Sequence, residues 1–183
     1  AGALAAGING GIDIGIDLHC AERRIELLGN EAGFYLSHGL APVCTEREGW
    51  SGELTGLEAY LENPKTIALG EIGLDWHWGY GGRDAQIELF ETQLHIADRK
   101  GLPVIIHNRE ADGDILETLL RIRPSAAGVM HCFSSDTDFA MRCIDLGFCV
   151  SFAGNLSFKR SEALREAARK VPVDRILLET DSP

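Results

Sequence analysis

Lysine and arginine number 17 against 28 aspartates and glutamates, a formal net charge of −11. Proteins that hold nucleic acid by electrostatics alone are basic, because phosphate contacts come from lysine and arginine. Composition therefore speaks against that mode, and a nucleic-acid role has to be argued from a site. No apolar run approaches the ~20 residues that cross a bilayer, so no membrane association is expected. The opening residues 1–6 lack the basic start and long apolar centre of a signal peptide, so no leader is expected either. Five cysteines (Cys20, Cys44, Cys132, Cys143 and Cys149) are odd in number and form no CxxC pair. Reduced thiols in a cytoplasmic protein fit this better than a disulfide framework. There is also no GxGxxG turn and no P-loop to signal a nucleotide-binding sheet.

What is present is an alternation of apolar runs and helical periodicity. Residues 8–18 read as a strand and its exit, with Asp13 and Asp17 alternating with Ile12, Ile14 and Ile16. Ala21 to Leu28 carries Ile25 and Leu28 at helical spacing and stops at Gly29-Asn30. Phe34 to His38 reads as a short strand and Trp50 to Gly56 as a loop. Leu57 and Leu61 then line a short helix ended by Asn63-Pro64. After a strand at 67–71 comes an aromatic, glycine-rich loop, Trp76 to Gly82. Ile87, Phe90, Leu94 and Ala97 trace an amphipathic helix closed by Lys100-Gly101. Strands at 103–107, 128–131, 148–152 and 176–179 alternate with helices around Ile115 to Leu120, Phe139 to Ile144 and Leu164 to Val171. Strands joined by helical crossovers pair in parallel. The 183 residues read as a single domain.

Four apolar runs end on residues of metal-ligand type: Glu71, His107, His131 and Asp181. Each alone has a structural explanation: a rim ion pair for Glu71, satisfied histidines for the next two, a helix cap for Asp181. Together, on separate strand ends of one parallel fold, they can converge on one point. That favours a TIM-type (β/α)₈ barrel, whose strands each supply site residues at their C-terminal ends. A doubly wound sheet gathers its ligands at one switch point instead. Mixed imidazole and carboxylate donors suit Zn²⁺, Mn²⁺ or similar ions, and a shared carboxylate suits a pair of them. A barrel takes ~250 residues, so this one is expected to be incomplete by about a strand and some helices.

The motifs that carry these residues are Gly70-Glu-Ile-Gly-Leu-Asp75, Leu102-Pro-Val-Ile-Ile-His-Asn-Arg109, Gly128-Val-Met-His-Cys-Phe-Ser134 and Leu177-Leu-Glu-Thr-Asp-Ser-Pro183. In this order they resemble the successive signatures of the TatD-type metal-dependent deoxyribonucleases, a barrel family within the amidohydrolase group. The resemblance runs over nearly the whole chain. It implies that Glu71 bridges two divalent metal ions (Zn, Mg or Mn), that His107 and His131 complete the second site, and that Asp181 binds the first metal or the attacking water. Glu71 and Asp181 are thus the expected catalytic pair. Arg109 would face the substrate phosphate or orient the site, and Asp75 and Glu179 would fix the rings of the metal-bound histidines.

The departures are as specific. The family normally opens with a strand carrying His-x-His or a polar variant of it, and no such strand is found in this sequence. Its Gly-x-His-Pro after the third strand stands here as Gly39-Leu-Ala-Pro42, which puts Ala41 at a histidine position. Whether His38 substitutes for it is left to the structure. The expectation is a single barrel domain over 1–183, truncated at both ends relative to the family. The activity implied is a two-metal hydrolase cleaving DNA phosphodiester bonds, with trimming of single-stranded or frayed ends, 3′ ends included, as its form. Trp76, Trp78 and Tyr80 are candidates to stack an unpaired base. Two readings stay open beside it: an amidohydrolase acting on a small amide, lactone or ester, and a non-catalytic binding relative with a degraded metal site.

Overall fold

The computed structural model describes residues 5–181. Seven strands form one sheet, β1 (Gly11–Ile14), β2 (Phe34–His38), β3 (Thr66–Asp75), β4 (Val104–Arg109), β5 (Gly128–Met130), β6 (Cys149–Phe152) and β7 (Ile176–Leu178). Their spatial order is their chain order, and every neighbouring pair is parallel. Sequential order decides between the two candidate architectures. A doubly wound sheet reverses order at its switch point, whereas an unbroken sequence of right-handed crossovers puts every helix on one side and curls the sheet. The fold is the TIM-type barrel, with seven strands in place. Among the described residues β1 and β7 do not pair with each other.

The helices between the strands are α1 (Ala21–Leu28), α2 (Glu53–Tyr60), α3 (Arg83–Lys100), α4 (Asp112–Ile122), α5 (Thr137–Asp145) and α6 (Glu162–Lys170). The core lies between sheet and helices. Leu69, Ile72, Leu74, Val104, Ile106, Met130 and Val150 from the strands meet Leu89, Phe90, Leu94, Ile115, Leu119, Phe139 and Leu164 from the helices. Burial of each such side chain contributes roughly 1.5–3 kcal/mol. The helix ends follow the local chemistry. Asp136 accepts the Phe139 backbone N–H to start α5, and α3 ends in Arg99-Lys100 before Gly101 in the left-handed region, where basic residues and glycine both suit a C-terminus.

Most boundaries shift by only a residue or two from the sequence reading, and three differences bear on the fold. β1 keeps only Gly11–Ile14 of the 8–18 stretch. Trp50–Gly52 is a 3₁₀ turn running into α2, which starts at Glu53; the stretch read as loop is the lead-in and first turn of a helix. The largest difference is β3. It runs on to Asp75, because Ile72, Gly73, Leu74 and Asp75 pair with Ile106, His107, Asn108 and Arg109 of β4 after a register shift between Leu69 and Ile72. Glu71 therefore stands at an irregularity inside the strand, not at its end. The close pairing needs Gly73: its φ is +141°, and a Cβ there would sit 1.9 Å from the His107 carbonyl oxygen.

Among the described residues all five cysteines are free thiols. No helix among them is long and apolar enough to cross a membrane.

Candidate metal centre

The C-terminal ends of β3, β4, β5 and β7 bring six titratable side chains together. Glu71 comes from the register break in β3 and Asp75 from its last position; they are 9% and 2% exposed. His107 stands in β4, and His131 follows β5 directly, its backbone N–H bonded to the Ile106 carbonyl at 2.9 Å. Glu179 and Asp181 follow β7, with the Glu179 N–H on the Phe152 carbonyl at 3.1 Å.

Each histidine is used at both ring nitrogens. His107 places Nε2 3.0 Å from Asp75 Oδ2 and Nδ1 2.8 Å from Glu71 Oε1. His131 places Nδ1 2.9 Å from Glu179 Oε2, and turns Nε2 toward Asp181 Oδ1 at 3.4 Å and Glu71 Oε2 at 3.9 Å. So one nitrogen of each ring is held by its own carboxylate, and the other faces Glu71. This is the arrangement by which outer carboxylates set the tautomer and orientation of metal-ligating imidazoles.

Burial alone would lower the basicity of His107. The hydrogen bond and charge of Glu71, with Asp75 behind it, outweigh burial and raise its pKa above the ordinary histidine value. His131 behaves likewise: burial opposes protonation, and the Glu179 hydrogen bond with the charges of Glu71, Glu179 and Asp181 raises it. Four carboxylates around two imidazoles form a site that attracts positive charge.

The donor set fits a divalent cation. Two nitrogen or oxygen donors ~2.0–2.1 Å from one ion at tetrahedral angles lie roughly 3.4 Å apart, and the inward-facing separations of 2.8, 3.4 and 3.9 Å scatter around that value. As they stand, however, the side chains hydrogen-bond to one another. Among the described residues no three His, Cys, Asp or Glu side chains enclose one metal-sized point. The inward nitrogens of both rings face carboxylate oxygens, in the direction from which a cation would be bound.

The other candidate residues are placed differently. Arg109 is exposed at the exit of β4, its guanidinium carbon 5.8 Å from the Trp78 ring centroid. It borders a cavity of about 520 Å³ shared with Glu110, Asp112, Gly113, Ser134 and Ser135. His38 is fully buried, but it stacks on Tyr60 of α2 at 5.3 Å and lies 3.5 Å from Arg24 of α1. It packs against the helices and is not among the side chains gathered around Glu71. Of the three aromatic candidates, Trp76 donates its indole N–H to Asp114 at 2.8 Å and is covered by Arg83 at 4.2 Å. Tyr80 is also partly covered.

Sequence reasoning missed two supports. Gln86, fully buried, accepts the Asp75 backbone N–H at 2.8 Å and donates to the Asp75 carbonyl at 3.2 Å. Its signal was available: Gln86 and Gln93 fall on the same helical face as Phe90, Leu94 and Ala97, where a polar residue needs a partner. Cys132 donates its thiol to Asp181 Oδ2 at 3.1 Å from a left-handed backbone with φ +41°. No spacing in the sequence points to that contact.

With the geometry in hand, comparison with known proteins places the chain. Residues 1–183 match the profile of the TatD related DNase family along their whole length. The chain belongs to the TatD family. It is 36% identical over 177 residues to the uncharacterised metal-dependent hydrolase YabD of Bacillus subtilis, covering 93% of this chain and 67% of the relative. It is 33% identical over 186 residues to the uncharacterised metal-dependent hydrolase TatD of Mycobacterium tuberculosis, covering 99% and 70%. The crystal structure of the TatD homologue YjjV from Escherichia coli superposes with a TM-score of 0.89 at 32% identity, over 99% of this chain and 70% of that one. A TatD-family hydrolase structure from Entamoeba histolytica, at 23% identity and TM-score 0.84, shows the same fold. This TatD-family member is a metal-dependent hydrolase, and the chain spans about two thirds of the length of these relatives.

Proposed function

We propose that the protein is a deoxyribonuclease that hydrolyses phosphodiester bonds of DNA at single-stranded or frayed ends, using two divalent ions. The observation that carries the reading is the shared position of Glu71. It meets the inward nitrogens of both histidines while Asp75 and Glu179 hold the outward ones. Glu71, His107 and His131 would hold one ion, and Glu71 with Asp181 the other. Bound there, divalent ions supply charge to polarise a phosphate and make a water more acidic. They also offset the chain's negative charge locally, which is what an acidic protein needs in order to accept a polyanion.

The protein's own groups divide the remaining work. Asp181 faces His131 from an exposed position and would be the base for the attacking water: it takes a proton as the water oxygen bonds to phosphorus, the ester P–O bond to the departing strand breaks, and the leaving oxygen takes a proton from solvent. Asp75 and Glu179 keep each imidazole turned inward, so that no ring reorganises during turnover. Arg109 carries fixed positive charge at the rim, on the side from which the incoming strand would approach. The five free thiols support a reducing compartment, the cytoplasm.

The test is turnover by full-length protein supplied with Mg²⁺, Mn²⁺ or Zn²⁺. Single-stranded DNA is compared with a panel of small esters, lactones and amides. Hydrolysis of the DNA well above the small substrates is expected. Turnover of a small ester with none on DNA would show a different amidohydrolase-like activity.

A further inference from the structure

We infer that Trp78 and Arg109 form a clamp that takes one unpaired nucleobase beside the metal centre. This deepens the deoxyribonuclease reading and rests on it. Of the aromatic side chains in the loop after β3, Trp78 alone offers an open ring, 61% exposed. Trp76 is sealed by Asp114 and Arg83.

The loop is fixed at two points. The Trp78 backbone N–H donates to Asp75 Oδ1 at 2.8 Å, and His77 Nδ1 lies 2.9 Å from Glu110 at the exit of β4. The His77 ring meets the indole edge-on at 4.9 Å. Asp75 uses its other oxygen on His107, so the Trp78 backbone and the His107 ring share one anchor. A base held on Trp78 is thereby placed next to the reacting centre.

Arg109 supplies the second wall. Its guanidinium carbon lies 5.8 Å from the indole centroid. A ring sandwiched between two planes needs roughly 7–8 Å, two contacts at 3.5–4.0 Å each. An exposed arginine opens the missing 1–2 Å by a rotamer adjustment. Indole and guanidinium faces are the surfaces on which unpaired bases stack. The adjoining cavity, bordered by Glu110, Asp112, Ser134 and Ser135, suits a base edge more than a phosphate. Its carboxylates repel an anion but accept amino and imino N–H groups. A base still stacked inside a duplex cannot enter between the two planes, so the clamp selects single strands.

The experiment uses full-length metal-loaded protein and oligonucleotides with phosphorothioate linkages throughout, which resist hydrolysis, so that binding is read without cleavage. Affinities for a phosphorothioate single-stranded decamer and for a blunt hairpin are measured by fluorescence anisotropy. Trp78→Ala is expected to weaken the single strand roughly tenfold or more and to leave the hairpin unchanged, with Trp78→Phe restoring most of the loss. Single-strand affinity within about twofold of wild type in Trp78→Ala would overturn the clamp while leaving the deoxyribonuclease reading standing. An equal loss on the hairpin would overturn its preference for unpaired bases. If wild-type protein binds neither oligonucleotide, the deoxyribonuclease reading fails and the clamp falls with it.

Discussion

Asp75 and His107 are joined by a 3.0 Å contact between carboxylate and imidazole, and the same carboxylate receives the Trp78 backbone N–H. One buried acid thus orients the His107 ring and secures the loop beside it. Its own backbone is braced by Gln86 of α3 on both the N–H and the carbonyl side. The barrel core, the loop and the candidate centre therefore meet at a single residue.

Asp75→Asn keeps the size and the backbone contacts and removes the charge that holds the His107 tautomer. Metal affinity is expected to fall about 10–100-fold, with far-UV circular dichroism unchanged. Competition with a chromophoric chelator reads it directly. Wild-type affinity in the variant would mean that His107 is oriented by Glu71 alone.

The pH dependence of metal-free protein should have two opposing limbs. His107 and His131 have raised pKa values, under carboxylates that outweigh their burial. Their folded state holds protons that the unfolded chain releases, so this contribution is full below pH 6.5 and is lost as pH rises through their folded values. His38 acts in the opposite sense. Burial, then the Arg24 charge, pushes it down to about 4. Its contribution is full above pH 6.5 and is lost as pH falls toward 4, at most about 3 kcal/mol. Thermal melts should show Tm rising as pH falls from 8.5 to 6.5, with an acid-side decline that flattens in His38→Gln. An unchanged acid slope in that variant would contradict the assignment to His38.

Gln93 is fully buried, accepts the Leu40 N–H at 2.8 Å and donates to the Leu40 carbonyl at 2.9 Å. Gln93→Leu keeps the volume but leaves two buried backbone groups without partners, at about 1–3 kcal/mol each. A loss of about 2–4 kcal/mol is expected, which lowers Tm by roughly 5–15 °C. A drop below about 2 °C would show that water or a backbone shift replaces the amide.

The parallel alternation was readable from the sequence because period-2 and period-3.6 patterns alternated between clear stops such as Gly101 and Pro124. The barrel was readable because Glu71, His107, His131 and Asp181 fell on separate strands. What escaped was non-local. Glycine at 70 and 73 looked like the end of a strand, yet pairing with β4 carries β3 through both to Asp75. The Asp75–Trp78 link, the Gln86 brace and the Cys132–Asp181 contact depend on side chains reaching between elements. The openness of Trp78 against the coverage of Trp76 depends on Arg83 and Asp114, which no local pattern specifies.

The central claim, that Glu71 is shared by two ions, is tested most directly by metal stoichiometry. Full-length wild-type protein and Glu71→Gln would be loaded with Zn²⁺ or Mn²⁺, freed of excess and analysed for bound metal, with folding checked by circular dichroism. Wild type is expected to hold about two equivalents, and a folded Glu71→Gln to lose both, because a shared ligand serves each ion. A folded Glu71→Gln that keeps the full wild-type complement would contradict the account.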